Sequence, residues 1–189
     1  MLTLSKKIKE SGKGDAKKKE SSPKPQHGRV SIRDRLLIGE VQELEKNITS
    51  ATCKVTFPEA DCLHKFFVEI SPDEGMWEHG TYEFKVEVPE NYNIAPPNVK
   101  CMTRIWHPNI TENGDVCLSL LRDHSLDGTG WVPTRTLKEV IWGLCSLFTD
   151  LCDFDDPLNV DAADHYHRDK KGFTRKVQYY IQRYAYHEK

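Results

Sequence analysis

A chain of 189 residues has room for one well-packed domain and a tail, and little room for two full domains. Its net charge of −2 hides an uneven distribution: residues 1–35 hold eleven Lys/Arg against four Asp/Glu, and the remainder holds sixteen against twenty-five. No apolar run approaches bilayer-spanning length, and the six cysteines show neither a C-x-x-C nor a paired spacing, which argues against a membrane span, a disulfide framework or a structural zinc site.

Residues 1–30 read as a basic, disordered extension. Met1, Leu2, Leu4 and Ile8 form a short apolar stripe at helical spacing. Gly12, Gly14, the run Lys17-Lys18-Lys19 and the Ser21–Pro25 segment then argue for a linker. The stripe is too short to hold a helix alone but is long enough to fold in a partner's groove. A solvated arm is the plain alternative, and a basic arm also fits an acidic partner, nucleic acid included. Glu10, Asp15 and Glu20, with Lys in place of Arg, weigh against a transit peptide.

The core domain is expected over 31–189. Ser31 is placed to cap a first helix, with Asp34 in its first turn and Leu37, Val41, Leu44 and Ile48 along one face. Arg33, Arg35, Glu40 and Glu43 are read as its outward, solvated face. Three strands follow: Cys53, Val55 and Phe57; Phe66, Val68 and Ile70; Tyr82, Phe84, Val86 and Val88, the last being the clearest alternation in the chain. A fourth spans Asn98 to Met102 after the Pro96-Pro97 excursion. Consecutive strands joined by turns predict an antiparallel meander.

Beyond it lies Arg104 to Pro133, where the chemistry concentrates. Pro108 in His107-Pro108-Asn109 fixes φ, and Asn113-Gly114 supplies a tight turn, so the chain from Asn109 to Cys117 is expected to fold back on itself. That places a neutral carboxamide near a thiol, a pairing suited to acyl transfer: the sulfur takes an acyl group and the amide steadies an oxyanion. No partner reads as a dedicated base, which argues against a cysteine protease. Arg122 to Gly130 is a polar loop. Thr136-Leu137-Lys138-Glu139 is a capping box opening an apolar helix through Leu137, Val140, Ile141, Leu144, Leu147 and Phe148. After Asp155-Asp156-Pro157 come a short helix from Asn159 and an amphipathic one marked by Phe173, Val177, Tyr180, Ile181 and Tyr184. His165 and His167, two apart on a helix, point in different directions, and no metal site is read. No phosphate-cradling motif appears: Gly128-Thr129-Gly130 lacks the third glycine of a G-x-G-x-x-G loop. The layout is α+β: one helix, four antiparallel strands, three helices.

His107-Pro108-Asn109, the eight-step run to Cys117, Trp131 with Pro133, and Asp155-Asp156-Pro157-Leu158 together resemble the ubiquitin-conjugating enzyme family over roughly 31–186. The opening Met1-Leu2-Thr3-Leu4 and the blocks 105–121 and 128–150 are similar to the family's metazoan neddylation branch, to the second of its two enzymes, which serves a cullin subset. The resemblance implies the family fold and a transferase that accepts a ubiquitin-like modifier on Cys117 from a heterodimeric activating enzyme. Transfer to a cullin lysine with a RING-box ligase subunit would follow. It implies that His107 and Pro108 brace the turn. Asn109 supports the loop or the oxyanion, and which of the two dominates is left open. Asp155 and Asp156 orient the incoming lysine, or serve only as helix caps. Met1, Leu2, Leu4 and Ile8 engage the activating enzyme and, once N-acetylated, a co-ligase. The Arg122–Gly130 loop is longer than the family's minimal form and either shapes partner choice or is padding. No cofactor is expected, ATP being consumed upstream; nor is nucleic acid or a membrane. A monomer in the reducing cytoplasm and nucleus is expected. A ubiquitin carrier with an unusual tail, a non-catalytic modifier-binding member, and a redox-active thiol protein are the rival readings.

Overall fold

The computed structural model describes residues 31–48, 52–123 and 128–186. Helix α1 spans Ile32–Asn47, and strands β1 (Cys53–Thr56), β2 (Lys65–Ile70), β3 (Tyr82–Glu87) and β4 (Asn98–Cys101) follow. Helices α2 (Leu137–Ser146), α3 (Val160–Arg168) and α4 (Lys170–Tyr180) complete the order, the last running into a π-helical turn over Ile181–Ala185. The four strands pair antiparallel in sequence order, a plain meander. The expected α+β layout is therefore present. Met1, Leu2, Leu4 and Ile8, expected to engage the activating enzyme and a co-ligase, lie outside the described residues.

Alternation sets the register. Val68 faces Phe84, and Phe84 in turn faces Cys101; Phe66 faces Val86 and Ile70 faces Tyr82. These side chains share one face of the sheet and are buried. Against that face lies α2, whose Leu137, Val140, Ile141 and Leu144 are buried, with Leu147 and Phe148 just beyond. Tyr82 and Phe148 stack at 4.8 Å, so the aromatic layer joins the sheet to the end of α2. At its start the Thr136 N–H donates to Glu139 Oε2 at 2.8 Å, the reach-back half of the capping box. Helix α1 is capped as expected, the Asp34 N–H donating to Ser31 Oγ at 3.0 Å.

One face of α1 differs from the sequence reading. Arg33 is buried and bonds Asp34 (2.9 Å), Glu90 (3.0 Å) and the Val88 carbonyl (3.4 Å). Glu40 accepts from the Tyr92 hydroxyl at 2.8 Å and from the Leu137 N–H at 2.7 Å, tying α1 to the α2 N-terminus. Both are clamped between elements. Burial raises the Glu40 pKa, opposed by those two hydrogen bonds. Among the described residues, no helix is long and apolar enough to cross a membrane.

Candidate active site

The site grows from the turn that leaves β4. Ile105 and Trp106 are buried, and His107 behind them is fully enclosed. Its ring packs 4.4 Å from Trp77 and 6.0 Å from Phe148. Nδ1 accepts from the Asn109 N–H at 2.9 Å, so the ring proton sits on Nε2 and is donated to the Leu147 carbonyl at 2.8 Å. Burial pushes the imidazole down to about 4, opposed only by the Leu147 bond. A neutral ring with both nitrogens occupied has no lone pair to offer a thiol. The Pro108 carbonyl accepts from the Asn159 N–H at 2.7 Å, anchoring the loop that precedes α3.

From Asn109 the chain folds back as its turn residues predict. The Thr111 N–H donates to the Asp115 carbonyl at 3.0 Å, and the Cys117 N–H to the Asn109 carbonyl at 2.8 Å. Gly114 closes the turn at φ +86°, with its own carbonyl bonded to the Cys101 N–H at 2.8 Å. A Cβ there would stand 2.0 Å from the Cys101 carbonyl oxygen, so only glycine fits. Cys117 ends this hairpin, half-buried. Leu118 and Leu120 then pack on Gly143 of α2, where a Cβ would meet them at 2.9 and 2.7 Å. That close approach seats the cysteine over the end of the core helix.

The opposite wall comes from the loop after α2. Asn109, itself buried, uses both ends of its carboxamide on Asp153: Oδ1 accepts its N–H at 2.8 Å, and Nδ2 donates to its carbonyl at 3.0 Å. Asp153 Oδ1 in turn accepts the N–H groups of Asp156 (3.1 Å) and Asp155 (2.8 Å), which hold its carboxyl below the usual range. Between the walls lies a recess of about 150 Å³ lined by Asn109, Cys117, Ser119, Arg122, Asp153 and Asp156, among others.

The two candidate aspartates part here. Asp156 faces the sulfur's recess and stands 3.7 Å from Arg122. Asp155 turns to a neighbouring hollow of about 390 Å³ and lies 3.8 Å from His167. Neither caps α3; Asn159 does, its side chain accepting the Ala162 N–H at 3.2 Å. Two participants escaped the sequence reading. Asp153 organises the loop through an Asx turn, a signal present in its position two and three residues before the pair. Arg122 points its Nη2 at Cys117 Sγ, 3.3 Å away, and only its five-residue spacing from the cysteine marks it beforehand. Its carbonyl accepts the Trp131 N–H at 2.9 Å, closing the polar loop at its base, while Trp131 Nε1 donates to the Asn93 carbonyl at 2.8 Å. Among the described residues, no cluster of three or more His, Cys, Asp or Glu is placed to hold a metal ion.

Comparison with known proteins agrees on one family. The family model described as "Ubiquitin-conjugating enzyme" matches residues 36–181. The chain is 61% identical over 186 residues to the NEDD8-conjugating enzyme UBE2F of Danio rerio, covering 98% of this chain and 100% of that protein. Against the Homo sapiens protein of that name, identity is 56% over 185 residues, with 98% and 100% covered. The NEDD8-conjugating enzyme ubc-12 of Caenorhabditis elegans is 45% identical over 160 residues, 83% of this chain and 89% of that one.

Proposed function

The chain belongs to the ubiquitin-conjugating enzyme family, and we propose that it carries NEDD8 as a thioester on Cys117 and passes it to a lysine. The reading is carried by a half-buried thiol set beside a fixed carboxamide, with the neighbouring imidazole fully committed to structure. Acyl exchange onto such a thiol needs no local base, because an activated thioester is the donor and the leaving thiolate accepts the electron pair. The relatives named NEDD8-conjugating enzymes, matched over their whole length, support the choice of modifier.

The reaction then runs in two steps. The Cys117 sulfur attacks the thioester carbonyl that joins the modifier's C-terminus to an activating enzyme; the new C–S bond forms as the old one breaks, and the Cys117 thiol proton passes through solvent to the leaving thiolate. ATP is consumed in that earlier activation, and this chain binds no nucleotide. A lysine amine next attacks the Cys117 thioester, the C–N bond forms, the C–S bond breaks, and the amine proton leaves to solvent. Asn109, locked to Asp153, holds the wall against which the amine approaches; Asp156 at the rim draws the lysine in. Cullin lysines are the acceptors, a RING-box subunit the ligase, and the N-terminal stripe at Met1, Leu2, Leu4 and Ile8, N-acetylated, the handle for activating enzyme and co-ligase. The setting is the reducing cytoplasm and nucleus, with the protein acting as a monomer.

The test is charging of the full chain with NEDD8 and with ubiquitin, each with its own activating enzyme and ATP. A thiol-labile NEDD8 adduct is expected, absent in Cys117→Ala and converted to a thiol-resistant one in Cys117→Ser. Preferential loading with ubiquitin would establish the carrier reading instead, and no adduct with either would sink both.

A further inference from the structure

Resting on that reading for its second step, we infer that Arg122 is a catalytic residue for the sulfur, aimed by Asp156. One guanidinium nitrogen, Nη2, lies 3.3 Å from Cys117 Sγ and 3.7 Å from Asp156 Oδ2. The side chain springs from a clamped backbone: the Arg122 N–H donates to the Ser119 carbonyl and its carbonyl accepts the Trp131 N–H, both at 2.9 Å. Ser119 is two residues from the sulfur, so the arginine is fixed to the same turn as the nucleophile. Its guanidinium is cationic at every working pH and carries five N–H donors, so it can hold a thiolate and a carboxylate together.

The exposed Arg122–Asp156 pair contributes little to stability by itself, since its partners are 51% and 82% exposed. Its value is geometric. Asp156 keeps the cation over the recess while the sulfur is free, and the charge is then in place when negative charge builds on that sulfur. Sulfur is the attacking atom during loading and the leaving atom during discharge, and the guanidinium favours its anionic form in both. A lysine ammonium reaching Asp156 takes the arginine's place at the carboxylate. That exchange loosens Arg122 from the carboxylate and leaves it beside the sulfur as the C–S bond breaks and the electron pair settles there.

The experiment begins without any modifier. Iodoacetamide alkylation of Cys117 in the full chain, followed on the Cys117 peptide by mass spectrometry at neutral pH, is expected to slow about three- to tenfold in Arg122→Ala. Arg122→Lys should keep most of the rate, Asp156→Asn should lose less than Arg122→Ala, and low, non-denaturing guanidinium should restore the alanine variant. In single-turnover discharge of the loaded protein to free lysine, Arg122→Ala should lower kcat and also KM, because Asp156 is then open to the amine. Alkylation within twofold of the parent, or a loss that guanidinium and Arg122→Lys both fail to restore, would overturn the assignment. Should the parent chain accept neither NEDD8 nor ubiquitin, the proposed function falls, and the alkylation series still decides what Arg122 does to the sulfur.

Discussion

The two walls of the Cys117 recess are built on opposite principles. One is the hairpin wall, from His107 through Gly114 to the cysteine: buried ring, buried carboxamide, a turn only glycine fits. The other is the rim of Asp153, Asp156 and Arg122, exposed and held by backbone hydrogen bonds and a loose ion pair. Asn109 joins them, sharing two hydrogen bonds with Asp153 across the gap. A protein that must accept one large partner and then present the same bond to another needs a fixed nucleophile and a yielding approach. Changes on the first wall should register as stability, and changes on the second as rate.

The strongest break is Gly114→Ala. The added Cβ would meet the Cys101 backbone, and alanine is strained at φ +86°. A loss of more than about 3 kcal/mol of unfolding free energy is expected in urea melts, with loading lost alongside. Near-parental stability would mean the hairpin wall yields after all.

Asn109→Ala cuts the tie between the walls. Leaving the Asp153 N–H and carbonyl without their partner should cost about 2 kcal/mol. It should also separate the carboxamide's two candidate roles. If discharge to lysine falls only as far as in Asp153→Ala, Asn109 acts by holding the rim. A further loss of about 10²–10³ would assign it to the oxyanion. Loading by the activating enzyme should suffer less than discharge in either case.

His107 sharpens the comparison through pH. Its pKa lies near 4 in the folded chain, depressed by burial, and returns to an ordinary value on unfolding. Between about 6.5 and 4 the unfolded chain therefore binds the extra proton, so this residue's contribution is complete above the upper value and is lost as pH falls toward the lower. The shift corresponds to about 3 kcal/mol. In His107→Gln the pH dependence of urea midpoints across that window should flatten by about that amount relative to the parent. Unchanged slopes would show that the ring is not sealed.

Much of this architecture is written locally. The period-two run from Tyr82 to Val88, the three-four spacing from Leu137 to Phe148, and Asn113-Gly114 each act through near neighbours, and each is found where its pattern places it. The misread residues owe their state to distant partners. Arg33 lies four residues before Leu37 and Glu40 four before Leu44, so the helical period sets both beside the apolar stripe; their charge made them read as outward, yet Leu137, Tyr92, Val88 and Glu90 come from elsewhere in the chain to pair with them. The separation of Asp155 from Asp156 follows from the Asp153 turn and the flanking His167 and Arg122, which no spacing rule ranks. The recess was legible as a cysteine and an amide, and the resemblance added Asp156; Asp153 and Arg122 were not legible, because exposed side chains leave little periodic trace.

The smallest effect on stability, and the most direct probe of the yielding wall, is Asp153→Ala. Its carboxylate is exposed, and solvent screens whatever its two backbone hydrogen bonds contribute, so unfolding free energy should change by less than about 1 kcal/mol. Those bonds nonetheless set where Asp156 stands relative to the sulfur. Losing them lets the rim drift, and the expected readout is a KM for free lysine raised about three- to tenfold, with loading nearly unchanged. Asp153→Asn retains a neutral acceptor at the same place and should recover most of the effect. The depressed carboxyl predicts the same behaviour in acid: protonating Asp153 weakens its hold on both N–H groups, so the difference between the parent and the alanine variant should narrow as pH falls through that group's folded titration. If the alanine variant matched the parent in lysine KM while Asn109→Ala did not, the rim would be positioned by the carboxamide alone, and the division between a fixed and a yielding wall would have to be redrawn with Asp153 on the fixed side.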